Sequence, residues 1–232
     1  MKYQAVFFDL DNTLYSYDQA HARAYAATQR LAGRELALTP VQFDALHDRA
    51  SEVLTRRCGG GPAIHDRLLR FQILLELLGR PVWTATALAG CYWGSFLQSL
   101  SPEPGALELL QTLRAMGMKL GIGTNMSVDM QLEKLRILGM TPYIDLLVTS
   151  EEVNAEKPDA RLFALCAEKA GIEPGRCVFV GDSLAKDAAG AQAAGMQGVW
   201  YCRTTPRETP AGILTVRALR ELPALLNTPE GG

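Results

Sequence analysis

Four short segments of the 232-residue chain carry groups that could do chemistry together: Asp9-Leu10-Asp11-Asn12-Thr13, Thr124-Asn125, Lys157-Pro158, and Gly181-Asp182-Ser183 with Asp187 a turn later. They supply four carboxylates, one ammonium and, at Thr124, a hydroxyl at the end of a strand. Carboxylates crowded into one place repel each other and raise one another's pKa unless a cation sits among them. A divalent ion would resolve that conflict. Every candidate ligand (Asp9, Asp11, Asp182, Asp187) is a hard oxygen, with no histidine or cysteine in the pattern, so Mg²⁺ is expected rather than zinc or copper. Metal, lysine and hydroxyl together suit a phosphoryl group, whose equatorial oxygens need positive charge and hydrogen-bond donors around them. The expected chemistry is phosphoryl transfer.

These segments can converge only if each follows a strand of the same sheet, and the hydrophobic pattern places them so. Residues 4–8 are a short apolar and aromatic run ending at Asp9, which reads as a fully buried strand of a parallel sheet. From Asp18 to Gly79 the apolar residues recur at three- and four-residue steps, the pattern of a helical block, interrupted by the Cys58-Gly59-Gly60-Gly61-Pro62 loop. After Pro102-Glu103-Pro104-Gly105 helix and strand alternate: helices at 107–116, 128–138, 160–170 and 187–194, strands at 120–123, 146–149, 177–180 and 199–201. Alternation of this kind implies a doubly wound, Rossmann-like α/β fold, a parallel sheet of about five strands covered by helices on both faces. Residues 1–14 and 101–232 would form that core, with 15–100 an inserted all-helical domain. In such sheets ligands bind at the carboxyl ends of the strands, where all four segments fall. The tail from Thr228 to Gly232 is expected to fray.

Composition narrows the partners. With 48% hydrophobic and 21% charged residues and a formal charge of −2, the chain reads as an ordinary globular protein, not a disordered or collagen-like one. The near-neutral balance lacks the concentrated positive field that nucleic acid or an anionic membrane surface requires. Residues 81–102 contain no charge but are broken by Thr84, Thr86, Gly90, Gly94, Ser95 and Gln98, which fits a helix buried between protein surfaces better than a membrane span. The five cysteines form no CxxC pair, and with no secretory leader in the first residues the expectation is reduced thiols in the cytoplasm. The inserted block carries a net charge of +2 against −4 elsewhere, which fits a small anionic metabolite as ligand. Monomer and dimer are both compatible with the sequence.

The four segments, in this order and at these strand ends, resemble the four motifs of the haloacid dehalogenase superfamily, and the resemblance covers the whole sheet domain. It implies that Asp9 is a nucleophile forming an aspartyl-phosphate and that Asp11 is the acid that protonates the leaving alcohol and the base that activates water. By the same resemblance Thr124, with Asn125 beside it, binds phosphoryl oxygens and Lys157 offsets charge on nucleophile and phosphate. Asp182 would ligate the metal together with Asp9 and the Asp11 backbone carbonyl, with Asp187 orienting metal-bound water. The helical insertion resembles a cap that closes over small substrates and excludes water. The Asp-x-Asp-Asn-Thr-Leu form most resembles the subgroup that includes N-acylneuraminate 9-phosphatase and pyrimidine 5′-nucleotidases, although Met126 stands where many members carry glycine. Three alternatives share the scaffold. A sugar phosphomutase usually has glycine after Asp-x-Asp, a metal-independent 2-haloacid dehalogenase lacks the second aspartate, and a non-catalytic binding protein would not need to retain Asp9, Asp11, Lys157 and Asp182.

Outside the motifs, Tyr15 and Tyr17 lie at the junction into the insertion and could stack on a base or sugar. Arg67 suits a carboxylate or second phosphate, while His21, His47 and His65 read as ordinary surface residues of the helical block.

Overall fold

The computed structural model describes residues 2–59, 61–204 and 209–227. Gly60 of the glycine-rich loop and the 228–232 tail lie outside the described residues. The chain separates into two compact units, Met1–Ser16 with Ser101–Gly232, and Tyr17–Leu100.

The second unit is helical. It contains α1 (Tyr17–Leu36), α2 (Pro40–Cys58), α3 (Arg67–Leu77) and α4 (Ala85–Gln98). Helix α2 starts in a capping box, where the Thr39 side chain accepts from the Gln42 amide and Gln42 reaches back to the Thr39 amide, with Pro40 as the first helical residue. It ends where Gly59 takes a left-handed φ of 62°. Helix α4 accounts for the uncharged stretch: Ala85, Leu88, Ala89, Tyr92 and Phe96 are buried, while Thr86, Ala87 and Gly90 are exposed. It therefore buries one face rather than being enclosed on two. Among the described residues no helix is long and apolar enough to cross a membrane.

In the first unit β1 (Ala5–Phe8), β2 (Lys119–Thr124), β3 (Leu146–Thr149), β4 (Cys177–Gly181), β5 (Gln197–Tyr201) and β6 (Leu214–Val216) form one sheet in the order β3-β2-β1-β4-β5-β6. Every pairing is parallel. The five strands expected from the pattern are present. β6 is a further edge strand of three residues, too short to give a periodic signal. The first strand lies at the centre, flanked by β2 and β4, and all four of its residues are fully buried, which is why it is apolar throughout instead of alternating.

The connecting helices are α5 (Ala106–Ala115), α6 (Val128–Ile137), α7 (Ser150–Val153), α8 (Ala160–Ala170), α9 (Ala189–Ala193) and α10 (Leu222–Leu226). Successive strand residues face opposite sides, so Ala5 and Phe7 of β1 join Leu162, Phe163 and Cys166 of α8 in one core layer, together with Phe179 and Val148. The chain runs from β1 outward to β3, then returns past β1 to β4 and outward again. The reversal between β1 and β4 is the topological switch point, where an open parallel sheet leaves a crevice at its carboxyl edge.

The helix expected over 187–194 begins differently. Leu184–Ala188 form a π turn, and α9 proper follows at Ala189. Gly198 of β5 is required by that turn, because a Cβ there would fall on the carbonyl of Ala188. Backbone cannot yield as a flexible side chain can, so Gly198→Ala is expected to cost about 1–3 kcal/mol, read as a drop in Tm. Gly175→Ala, where a Cβ would meet nothing within 4 Å, is the neutral control.

Candidate active site

Asp9 leaves β1 with its amide still bonded to the Val180 carbonyl at 2.8 Å, which holds the start of the loop to β4. The chain then turns tightly: the Thr13 and Leu14 amides both donate to the Leu10 carbonyl, and Asn12 adopts a left-handed φ of 60°, a conformation asparagine tolerates better than most residues. The turn keeps Asp9 and Asp11 on one loop. Its Thr13 hydroxyl accepts from the Asp182 amide at 3.1 Å and lies 3.4 Å from Asp9 Oδ2, tying the β1 and β4 loops together. Trp200 Nε1 donates to the Asp182 carbonyl at 2.9 Å and fixes that loop from β5.

Lys157 is at the centre. Its side chain is 3% exposed, and Nζ contacts Asp9 Oδ1 at 2.6 Å, Asp187 Oδ1 at 2.7 Å and the Gly123 carbonyl at 2.9 Å. Asp187 reaches this position because Gly181 has no side chain: a Cβ there would fall on the Asp187 carboxyl. The other Asp187 oxygen accepts from the Ser183 amide at 2.9 Å, so the residue both closes its own π turn and faces the lysine. Asp9, Asp182 and Asp187 each offer an oxygen within 4.8 Å of the others. The Asp11 side chain is not part of that trio.

The electrostatics follow from burial. Desolvation pushes Asp9 up to about 7; Lys157 opposes the shift, and the charges of Asp187 and Asp11 reinforce it. Asp182 is pushed up to about 6, again by burial first and then by Asp187, with Lys157 and Arg203 opposing. The Lys157 ammonium is driven the other way: burial would discharge it, but Asp187 and Asp9 more than compensate and hold it charged. One buried cation does not balance three crowded carboxylates. The three oxygens, all hard donors, therefore fit a divalent cation of the magnesium or calcium type.

On the β2 side, Thr124 is buried, and its hydroxyl oxygen accepts from Gln131 Nε2 at 2.6 Å, which leaves the hydroxyl hydrogen to donate elsewhere. Asn125 Oδ1 accepts from the Lys157 amide at 2.9 Å, so this side chain positions the lysine loop.

Two residues at this end of the sheet were not singled out in the sequence. Gln131 and Lys134, both fully buried on α6, face the β2 and β1 loops: Lys134 Nζ contacts Asp11 Oδ1 at 2.8 Å and Oδ2 at 3.1 Å. The signal was available. Positions 131, 134, 135 and 138 form the buried stripe of this segment at helical spacing, and two of the four are polar. Tyr15 joins the same cluster. A residue that by type could stack on a base or sugar, it is completely buried, and its hydroxyl donates to Asp11 Oδ1 at 2.6 Å.

Tyr17 and Arg67 belong to the helical unit and are brought together there. Arg67 donates to the Tyr17 hydroxyl at 2.6 Å and to the His65 carbonyl at 3.1 Å, and its guanidinium lies over the rings of Tyr92 and Trp93. At 6% exposure it is a core residue of that unit, not part of a solvated face. His21 and His47 also depart from the surface role expected of them. His21 Nδ1 is 2.7 Å from the Tyr92 hydroxyl, and His47 packs edge-on against Tyr25 with its side chain 12% exposed. Burial and the nearby arginines lower both imidazoles, His47 to about 4, so at neutral pH they pack as uncharged aromatic rings.

Residues 3–195 match the model of the haloacid dehalogenase-like hydrolases. The chain is 38% identical over 200 residues to a ribulose-1,5-bisphosphate 5-phosphatase of Halopiger xanaduensis, covering 85% of this chain and 84% of that one. It is 31% identical over 233 residues to the pyrimidine 5′-nucleotidase YjjG of Escherichia coli, covering 97% and 99%. Among solved structures, a 2-haloacid dehalogenase from Pseudomonas syringae pv. Tomato superimposes with a TM-score of 0.75 at 26% identity, over 97% of this chain and 98% of that one. A buried lysine between two aspartates at the switch point of the sheet, found in a chain with these relatives, leads to one assignment: the protein belongs to the haloacid dehalogenase-like hydrolase family.

Proposed function

We propose that the protein is a Mg²⁺-dependent phosphomonoesterase acting on a small phosphorylated metabolite, a sugar phosphate or a nucleoside monophosphate, through an aspartyl-phosphate at Asp9. The observation that carries this reading is the clamp of Lys157 on Asp9 and Asp187, with Asp182 beside it. The relatives' names support phosphate ester hydrolysis and differ in the alcohol released.

Asp9 Oδ1 is held by Lys157, which orients the carboxylate for attack on phosphorus. As the bond from Asp9 to phosphorus forms, the bond to the ester oxygen breaks, and Asp11 passes a proton to that oxygen to release the alcohol. Water then adds to phosphorus while Asp11 takes its proton, the bond to Asp9 breaks, and inorganic phosphate leaves. Lys157 and the Thr124 hydroxyl serve as donors to the phosphoryl oxygens, and Asn125 keeps the lysine loop in register with β2. Magnesium held by Asp9, Asp182 and Asp187, with the Asp11 carbonyl, would offset the charge shared by carboxylates and phosphate. The helical block is read as a cap that excludes water from the transfer, with Tyr17 and Arg67, bonded to each other, among the residues that set selectivity.

Two measurements test this reading. In a screen of phosphomonoesters with Mg²⁺, Asp9→Asn is expected to lower p-nitrophenyl phosphate turnover by at least ~10³-fold with an unchanged circular dichroism spectrum, since removing a covalent nucleophile removes its whole pathway. Unchanged turnover overturns the nucleophile. Chloride release from 2-chloropropionate without added metal would favour the dehalogenase instead.

The second concerns pH. Asp9 and Asp182 have folded pKa values of about 7 and about 6, above the ordinary carboxylate value of 3.8. Between these limits the native state binds more protons than the unfolded chain, so stability falls as pH rises. In EDTA the Tm is expected to be higher at a pH of roughly 5.5 than at roughly 7.5, for this linkage reason. Saturating Mg²⁺ should raise the Tm more at the higher pH, because cation and protons compete for the same oxygens. Equal stabilisation at both pH values would contradict the metal assignment.

A further inference from the structure

Asp11 is the group the proposed reaction uses twice, yet nothing in the four motifs says what holds it. Two buried side chains outside the motifs hold it. Lys134 projects from α6 with a side chain of 0% exposure and places its ammonium 2.8 Å from Asp11 Oδ1 and 3.1 Å from Oδ2. Tyr15, also completely buried, donates its hydroxyl to the same Oδ1 at 2.6 Å. A lysine side chain rarely lies in a core, and it does so only where its charge is met. Its position is enforced further by Met126, whose buried sulfur lies 4.0 Å from Nζ. Met126, next to Asn125 in the loop after β2, thus lies against the ammonium.

We propose that Lys134 and Tyr15 are the positioning residues that aim Asp11 for proton transfer, with Met126 sealing the lysine from water. Oδ1 accepts from both donors and is thereby committed to holding the carboxyl in place. Oδ2, which among the described residues makes only the longer lysine contact, is the oxygen that carries the proton to the leaving alcohol and takes one from water. Two donors from different elements fix the side chain as no single contact could. One comes from α6 and the other from the turn after β1. Gln131, one turn before Lys134 on α6, holds the Thr124 hydroxyl at the same time, so one buried helix face orients both the proton carrier and a phosphate donor.

This rests on the phosphatase reading, and the test separates the two. A phosphate ester with a good leaving group, such as p-nitrophenyl phosphate, needs little help from an acid, whereas an alkyl phosphate needs it fully. The value of kcat/KM reports the step that releases the alcohol. For Lys134→Met, kcat/KM on the best alkyl phosphate of the wild type is expected to fall roughly 100-fold or more, against less than about 5-fold on p-nitrophenyl phosphate, within the range general acid catalysis supplies. The substitution removes a buried charge and leaves Asp11, whose side chain is 25% exposed, to water, so the fold should survive. Tyr15→Phe should show the same selectivity at a smaller fold-change and serves if Lys134→Met does not fold. In an Asp11→Asn background Lys134→Met should add nothing further on the alkyl ester. Equal losses on both esters, which a merely structural role would give, overturn the proposal, as does no loss on either. A wild type inactive on all phosphomonoesters, or fully active as Asp9→Asn, would instead overturn the underlying reading.

Discussion

The buried ammonium of Lys157 organises the carboxylates that crowd this end of the sheet. Lys157 sits between Asp9 and Asp187 with almost no contact with water, and each partner comes from a different strand end. A charge in that position cannot be solvated, so it must be met by carboxylates, and the carboxylates in turn are tolerable only because it is there. The arrangement fixes three loops relative to one another. It also creates a deficit: one cation against Asp9, Asp182 and Asp187 leaves negative charge uncompensated, and burial drives Asp9 and Asp182 toward the protonated form. A site that is strained without further positive charge is a site suited to acquire it, first as a metal ion and then in balance with an anionic substrate.

The sheet exists in the form needed to support this clamp. Placing β1 at the centre puts Asp9 between the ends of β2 and β4, within reach of what both loops carry. The glycines on either side matter for space: Gly181 leaves room for Asp187 to fold back over β4, and Gly198 lets β5 approach the π turn on which Asp187 is carried. The insertion leaves and rejoins the core without disturbing this frame, because the Glu103 amide donates to the Leu14 carbonyl at 2.8 Å and Tyr15 bridges to Pro102. The two crossing points of the chain are stitched together within the core itself.

Much of this was legible because the signals were local. A buried strand followed at once by polar residues marks the carboxyl edge of a parallel sheet, which gathers Asp9, Thr124 and Asp182, while Lys157 lies eight residues past the end of β3 and joins them through the order of the segments. What was not legible depended on tertiary packing. His21 and His47 read as surface residues by type alone, although His47 stands four residues after buried Phe43 and three before buried Ala50; the crossing of α1, α2 and α4 encloses both among Tyr25, Phe43 and Tyr92. β6 is too short to announce itself, and the π turn at Leu184–Ala188 looks in sequence like the start of an ordinary helix. Gln131 and Lys134 fell between these cases. Their periodicity marked them as inward-facing, but a polar side chain at a core position becomes meaningful only once its partner, far away in sequence, is known.

That last case bears on how relatives with a shared core can release different alcohols. In the proposed reaction the clamp around Lys157 would act on the phosphoryl group, which is the same in every phosphate ester, and its geometry is set at the strand ends, by the π turn that carries Asp187 and by Asn125 on the lysine loop. The leaving alcohol would be served by Asp11, and Asp11 is held not by the strands but by a helix and by the turn before the insertion, with Met126 of the loop after β2 against the same lysine. Changes there can retune how the leaving group is served while Asp9, Lys157 and Asp182 stay as they are. On that reading the groups that would meet the phosphoryl half of the substrate stand at the carboxyl edge of the sheet, while those that hold the group serving the alcohol stand on α6 and on the turn after β1, so the two halves of the site rest on different elements.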